Sequence, residues 1–353
     1  MIKTAIVILN WNTRHYLEKF LPFLVKYTSL PDVQLVLADN GSTDDSVEFV
    51  RKYYPAVTTI VFDKNYGFAE GYNIALKQVN AEYYIILNSD IEVTENWLPP
   101  LLTILEQNDK IAACMPKIRS YLNPGYFEYA GAAGGFLDKF GYPFCKGRIF
   151  TTLEKDDGQY DGTYQIQWAT GACLAIKAEL FHKFEGFDPY FFAHQEEVDL
   201  CWRLINAGYE IYCTSNSLIY HIGGGTLPKS NPHKTYLNFR NTLVLLYKNT
   251  HTLRFIYIFL IKLILDAIAV LKVLCEKKPK DALAIIMAHL SFYKYFFYHK
   301  KPDITNYFSQ ELIFNKSIVF QYFILKKMKF SQLSFNKYKS KNLQIRTVES
   351  LCE

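Results

Sequence analysis

Two apolar runs, each closed by an acid, constrain this chain more than any other feature. Val33-Gln34-Leu35-Val36-Leu37-Ala38 ends in Asp39-Asn40-Gly41, and Tyr83-Tyr84-Ile85-Ile86-Leu87 ends in Asn88-Ser89-Asp90. Short apolar runs closed by a polar, turn-forming cluster are the pattern of strands buried in a parallel sheet. Open α/β sheets bind their ligands beyond the carboxyl ends of such strands. Two acids placed there can hold the ribose or base of a nucleotide and a metal-bound diphosphate, which makes a donor site for an activated small molecule.

The flanking sequence continues the pattern. Strand-like runs cover Thr4–Leu9, Val33–Ala38, Thr58–Phe62, Tyr83–Leu87 and Ile111–Met115. Helical periodicity covers His15–Tyr27, Ser46–Tyr54, Phe68–Val79 and Glu95–Gln107. This alternation predicts a doubly wound, parallel sheet, with Thr94 and either Asp44 or Asp45 as helix caps. Residues 116–165 are rich in Gly, Tyr and Pro and show no clear periodicity, as functional loops often do. Order returns with a strand over Trp168–Ile176, helices over Ala178–Lys183 and Glu196–Asn206, and a strand over Glu210–Cys213.

A length of 353 residues allows one large core or two smaller ones, and 50% hydrophobic against 21% charged residues is a globular balance. A net charge of +5 points to no nucleic-acid partner, but its placement is informative. Lys277-Lys278, Lys280, Lys300-Lys301, Lys326-Lys327 and Lys329 are interleaved with Phe and Tyr. They read either as a solvated basic tail or as a surface for anionic lipid headgroups. The seven cysteines are scattered without a CxxC pair and read as small buried hydrophobes in a reducing compartment. Met1–Ile8 runs directly into a strand, with none of the features of a secretory leader.

Leu253–Leu274 is apolar but carries Arg254, Lys262, Asp266 and Lys272. Charges at the centre of a spanning helix are expensive, and Lys262 and Asp266 share one helical face. An amphipathic helix lying on a membrane or on the rest of the protein fits better. The organisation expected is a catalytic unit over residues 1–235, a membrane-apposed helical region over 236–300 and a basic aromatic tail over 301–353.

Several motifs carry a family resemblance. Val7-Ile8-Leu9-Asn10-Trp11-Asn12, Ala38–Asp44, Asn65–Asn73 and Leu87-Asn88-Ser89-Asp90 resemble, in order, the opening of the family 2 inverting glycosyltransferases. Phe191–Arg203, Ala207-Gly208-Tyr209 and His221-Ile222-Gly223-Gly224-Gly225 are similar to its rhamnosyltransferase-like branch. The resemblance covers roughly residues 3–250. It implies an A-type glycosyltransferase fold, a Rossmann-like, mostly parallel sheet flanked by helices, here followed by an amphipathic helical region. It also implies Mg²⁺ or Mn²⁺, a nucleoside-diphosphate sugar donor, dTDP-L-rhamnose first with another hexosyl or a galactofuranosyl donor as the alternative, and a lipid-linked glycan acceptor in bacterial surface-polysaccharide assembly. The expected location is cytoplasmic, peripheral on the inner face of the membrane.

Carried onto this sequence, the family's donor-binding positions are Asn10, Asn12, Asp39, Asn65, Gly67, Asn88 and Asp90. Asp39 would bind the nucleotide, although with Asn40-Gly41 it is also a turn former. Asp90 ends the family's metal motif, with His221 as second ligand; Asn88 stands where the family usually has the first acid. Gly67 and Gly71 suit either close ligand approach or helix–sheet packing. Glu197 matches the presumed catalytic base, with Glu196 as its alternative, and adjacent like charges raise such a pKa. Asp199, four residues before Arg203, reads as a structural ion pair. Trp168, Thr170 and Gly171 are placed at the acceptor pocket, with core packing equally open for Trp168. The glycines after His221 suit a lid over the donor phosphates.

Two other classes leave different signatures. A nicotinamide-dependent oxidoreductase should show GxGxxG after its first strand, where this chain reads Asn10-Trp11-Asn12-Thr13. A non-catalytic membrane scaffold would keep nucleotide binding without turnover.

Overall fold

A computed structural model describes residues 2–223, 231–302 and 312–335. The first third alternates strand and helix: β1 (Ile2–Asn10), α1 (Arg14–Tyr27), β2 (Val33–Asp39), α2 (Ser46–Tyr53), β3 (Thr58–Val61) and α3 (Gly67–Leu76). There follow β4 (Ala81–Asn88), β5 (Ile91–Val93), α4 (Pro99–Gln107) and β6 (Ile111–Ser120). β1 lies between β2 and β4, parallel to both, and β3 extends the sheet parallel to β2. The register sets Asn10 against Asp39 and Leu9 against Asn88. The polar ends of three parallel strands therefore line one rim.

The burial explains why the runs are apolar throughout. Ala5–Val7, Val36–Ala38 and Ile85–Ile86 are fully enclosed. On α1, Leu17, Phe20, Leu21 and Leu24 form one buried stripe at helical spacing.

The second part adds β7 (Gly135–Leu137), β8 (Pro143–Cys145), β9 (Arg148–Ile149) and β10 (Thr152–Leu153), then β11 (Thr163–Ile166), β12 (Cys173–Lys177) and α5 (Ala178–Lys183). It continues with α6 (Glu196–Asn206), β13 (Glu210–His221), α7 (Pro232–Asn249), α8 (Thr252–Cys275) and α9 (Pro279–Tyr298). β7 to β10 make a small separate sheet; the main sheet runs β11-β13-β6-β12-β4-β1-β2-β3, with β5 paired to the end of β13. β12 enters antiparallel between β4 and β6, while β13 is parallel to β6. The result is a mostly parallel sheet flanked by helices, as expected.

Several local expectations change. The strand expected over Trp168–Ile176 exists only as Cys173–Lys177; Trp168 makes a single β-bridge to Gly135, and the chain turns at Gly171-Ala172. Residues 116–165 are not irregular throughout but hold the small sheet and β11, whose strands of two to four residues are too short to show a period. Thr94 caps no helix: its hydroxyl donates to the Leu218 carbonyl at 2.7 Å. α4 instead begins at Pro99-Pro100, where the fixed φ of proline suits a first turn. Asp44 rather than Asp45 serves α2, accepting from the Ser46 backbone at 3.2 Å.

The boundary expected near residue 235 falls inside α7. Five cysteines are buried thiols and Cys275 is exposed; Cys352 lies outside the described residues. No helix among the described residues is long and apolar enough to cross a membrane.

Candidate active site

The rim formed by β1, β2 and β4 is held by a chain of side-chain hydrogen bonds. Asn10 Nδ2 donates to Asp39 Oδ1 at 2.8 Å, and Thr13 Oγ1 donates to Asn10 Oδ1 at 2.5 Å and lies within hydrogen-bond distance of Ser89 Oγ, 2.9 Å. Ser42 N–H reaches the other Asp39 oxygen at 3.0 Å. Asp39 thus has a structural role in its turn, and the bonded chain runs from it to the neighbour of Asp90.

Asn12 lies in the left-handed region at φ 54°. Its side-chain oxygen accepts from the backbone of Thr43 at 2.8 Å, tying the β1–α1 loop to the loop after β2. Asn40, expected only as a turn former, donates to Asn65 Oδ1 and to the Gly67 carbonyl at 3.0 and 2.9 Å. Asn65 in turn accepts from Gly67 N–H at 2.7 Å, fixing the start of α3.

Gly67 needs to be glycine for two reasons. Its φ is +78°, and a Cβ there would lie 2.6 Å from the Phe192 ring. Gly71 lies against Leu9, where a Cβ would approach to 2.9 Å. Both glycines thus serve close packing, the first onto the loop before α6 and the second onto β1.

Antiparallel pairing sets His221, the last residue of β13, against Ile91 of β5, which brings the imidazole beside Asp90. His221 Nε2 is 3.0 Å from Asp90 Oδ1, and Nδ1 is 3.1 Å from Glu128 Oε2, off the line of a good hydrogen bond. All three side chains are buried. Burial alone would depress the imidazole pKa, but Asp90 and Glu128 outweigh it and hold it at about 10. Burial likewise works against ionised Asp90, and His221 reverses that, leaving its pKa below the usual value. Glu128 also accepts from Ala130 N–H. Sequence reasoning missed it because it sits in the aperiodic segment after β6.

Glu196 and Glu197 open α6. The loop before them holds Phe192, His194 and Gln195 at φ 62°, 71° and 71°. Asn241 of α7 clamps that loop: its Nδ2 lies 3.1, 3.0 and 2.7 Å from the carbonyls of Phe191, Ala193 and His194, which share its two N–H donors. The Phe192 carbonyl accepts from Phe68 and Ala69, joining the loop to the start of α3. Farther along α6, Asp199 pairs with Arg203 at 2.8 Å, as expected, and with Lys248 of α7 at 3.0 Å.

Burial raises the Glu197 pKa to about 7. Burial, followed by the charge of Glu197, pushes Glu196 well above the usual range. One oxygen of each carboxyl is buried without a hydrogen-bond partner. Gly171 faces Glu197: a Cβ on that glycine would lie 3.9 Å from the Glu197 Cβ. The next residue, Ala172, accepts from Asn88 N–H at 3.0 Å. The turn after Trp168 therefore connects Glu197 to the end of β4 that carries Asp90.

A buried acid with a raised pKa, a second carboxylate paired with an imidazole and a third at the neighbouring strand end share one rim. The model of the family described as glycosyl transferase family 2 matches residues 5–183, half of the 353-residue chain. The chain belongs to glycosyl transferase family 2. The enzyme is similar to the N-acetylglucosaminyl-diphospho-decaprenol L-rhamnosyltransferase of Mycobacterium tuberculosis, 27% identical over 61% of this chain and 75% of the relative. It is 25% identical to the O-antigen biosynthesis protein RfbC of Myxococcus xanthus over 66% of this chain, but that match spans only 18% of RfbC. The crystal structure of GalNAc-T7 with UDP, GalNAc and Mn²⁺ superposes with a TM-score of 0.51 at 18% identity. That match covers 69% of this chain and about half, 51%, of GalNAc-T7. At that identity the likeness establishes the A-type glycosyltransferase fold.

On this glycosyltransferase, Asn10, Asn12, Asp39, Asn65, Gly67, Asn88, Asp90, His221, Gly171 and Glu197 gather at or near the strand-end rim. Trp168 does not open onto it: the ring packs on Gly135, and its N–H donates to the Phe136 carbonyl at 3.0 Å. Thr170 is buried, and its hydroxyl accepts from Ala172 N–H at 3.2 Å. Gly224 and Gly225 of the expected lid lie outside the described residues.

The donor set at Asp90 suits a hard divalent cation, which takes carboxylate oxygen and tolerates imidazole. Glu128 lies behind Nδ1, where a carboxylate would help to place a ligating histidine. Among the described residues no group of three or more His, Cys, Asp or Glu side chains is arranged to hold a metal. Asp90 and His221 would be the protein's ligands, with diphosphate and water at the remaining positions.

Proposed function

We propose that this glycosyltransferase is metal-dependent and inverting, moving L-rhamnose from dTDP-L-rhamnose to a hydroxyl of a lipid-linked glycan in cell-surface polysaccharide assembly. The observation that carries the reading is the common rim of Asp39, the Asp90–His221 pair and Glu197. The names of the Mycobacterium and Myxococcus relatives support the sugar and the surface-polysaccharide context.

Asp39 would receive the nucleotide, its carboxylate accepting from a base N–H or a ribose hydroxyl, with Asn10 and Ser42 holding it in place. Asn12 and Asn65 would shape the donor pocket through the loops they pin. Asp90 and His221 would hold Mg²⁺ or Mn²⁺, with His221 oriented by Glu128. Such an ion, when bound, neutralises charge on a leaving nucleoside diphosphate.

Glu197 would accept the proton of the acceptor hydroxyl as that oxygen bonds to the anomeric carbon. The bond from that carbon to the diphosphate breaks on the opposite face, which inverts configuration. A base with a pKa near the working pH combines ionisation with proton affinity. Glu196 is deeper, so its charge is the harder one to form. Gly171 lies between Glu197 and the Phe68 ring, which a Cβ there would approach to 3.0 Å, so these two residues would shape the approach to the base.

A second donor class has one observation in its favour: the superposable GalNAc-T7 structure contains UDP and GalNAc. The test is transfer from a panel of dTDP-, UDP- and GDP-sugars to a lipid-linked acceptor, with Mg²⁺ or Mn²⁺ and then with chelator. Chelator-sensitive transfer from dTDP-L-rhamnose alone supports the reading. Selective transfer from a UDP-sugar replaces the donor but keeps the chemistry, and transfer unaffected by chelator removes the metal.

A further inference from the structure

Helix α8 is built with its polarity reversed. A helix on a globular surface normally turns apolar residues inward and charges outward. Here the buried stripe is Phe255, Ile258, Lys262 and Asp266, with Lys262 and Asp266 only 2% and 3% exposed. The outward stripe contains Leu260, Ile264, Ile268 and Leu271, exposed by 57%, 64%, 56% and 63%.

The inward charges lock this orientation. Lys262 Nζ is 3.1 Å from Asp266 Oδ1 and 3.2 Å from Tyr142 OH, and Asp266 Oδ2 is 3.0 Å from His289 Nε2 of α9. Rotating the apolar stripe inward would strip a buried ion pair of its partners. On α9, Leu283, Ile286, Met287 and Leu290 are also exposed. Phe320, Phe323 and Ile324 are exposed as well, and Phe323 adjoins α8 through Lys272, whose ammonium lies 5.5 Å from its ring centroid. The apolar surface therefore spans two long helices and a neighbouring segment, beyond the scattered exposure normal on a protein surface.

Its edge is basic: Lys272, Lys277, Lys278, Lys280, Lys326 and Lys329 are exposed around the α8–α9 turn and the nearby segment. A broad apolar face rimmed by lysines and aromatic residues matches the boundary between acyl chains and anionic headgroups. A helix of 24 residues is long enough to lie along such a boundary, and none of the described helices can span it.

We propose that the outer face of α8 and α9, extended by residues 320–324, is a monotopic docking surface for an anionic lipid bilayer. The apolar stripes enter the headgroup–acyl boundary, and the lysine rim contacts lipid phosphates. This stands apart from the choice of donor, acceptor or metal, because vesicle binding is measured without turnover.

The test is flotation of the full chain with vesicles of phosphatidylcholine alone or mixed with phosphatidylglycerol. It uses wild type, a triple Leu260→Gln, Ile264→Gln, Ile268→Gln variant, and a double Lys277→Glu, Lys280→Glu variant. Circular dichroism and thermal melting establish that each is folded. Wild type should float with the mixed vesicles, the triple variant should remain unbound, and the lysine variant should bind at least about tenfold more weakly. Rising salt should weaken binding to the mixed vesicles. A folded triple variant that floats as wild type does would overturn the proposal. So would a wild type that ignores both vesicles, whether monomeric or as a dimer that the triple variant dissociates, the latter assigning the face to a second copy.

Discussion

His221 Nε2 stands 3.0 Å from Asp90 Oδ1, and Glu128 Oε2 stands 3.1 Å from the other ring nitrogen. The imidazole thus lies between two buried carboxylates, hydrogen-bonded to Asp90 and within ion-pair distance of Glu128. Losing Glu128 should affect ion binding more than nucleotide binding. Glu128→Gln is expected to weaken Mn²⁺ affinity by about 10–100-fold, read by calorimetry, with the affinity for the free nucleotide kept.

The raised pKa of Glu197 fixes the direction of two pH profiles. As a base it must be ionised, so transfer should rise with pH through about 7 and then level off. Folding favours its protonated form, because the folded pKa lies above the unfolded one. Its effect on stability is therefore most favourable below the unfolded value, declines as pH rises towards about 7, and is constant above that. Glu197→Gln removes the decline and should raise the melting temperature at pH 8 but not at pH 4.

Asn241 is fully buried and holds three carbonyls of a loop with three left-handed residues. Asn241→Ala leaves those carbonyls without that donor and should destabilise the fold by about 2–4 kcal/mol, measured by urea denaturation. Transfer should fall as well, since the loop leads directly into Glu196 and Glu197. Gly67→Ala strikes the same loop from α3, through Phe192, and should cost about 1–3 kcal/mol.

The buried pair in α8 makes a prediction by double mutation. Asp266→Ala strands Lys262 among Tyr142 and Phe239 and should cost about 3–5 kcal/mol. The double variant Lys262→Met, Asp266→Leu should recover most of that loss, as followed by thermal melting. Equal losses in the single and double variants would contradict the pairing.

The strands that end at the rim were legible because burial on both faces leaves no freedom in their composition. Val36–Ala38 and Ile85–Leu87 must be apolar, and the acids beyond them mark where the sheet ends. The insertion of β12 between β4 and β6 was not legible, because sequence order does not name a strand's neighbours. Glu128 lay hidden in a stretch whose strands are shorter than any readable period. Trp168 looked like a sugar platform by type, and only the close approach of Gly135 reveals its packing. Lys262 and Asp266 were seen to share one face of α8, but spacing alone does not say whether that face turns inward. Tyr142 and His289, distant in sequence, decide it.

The most direct test of the account compares wild type and Glu197→Gln for both nucleotide binding and sugar transfer. The account predicts that transfer falls roughly 10²–10⁴-fold, while the nucleotide still binds at the Asp39 and Asp90 rim with near wild-type affinity. Transfer at the wild-type rate in the folded Glu197→Gln protein would contradict it, by removing Glu197 as the base.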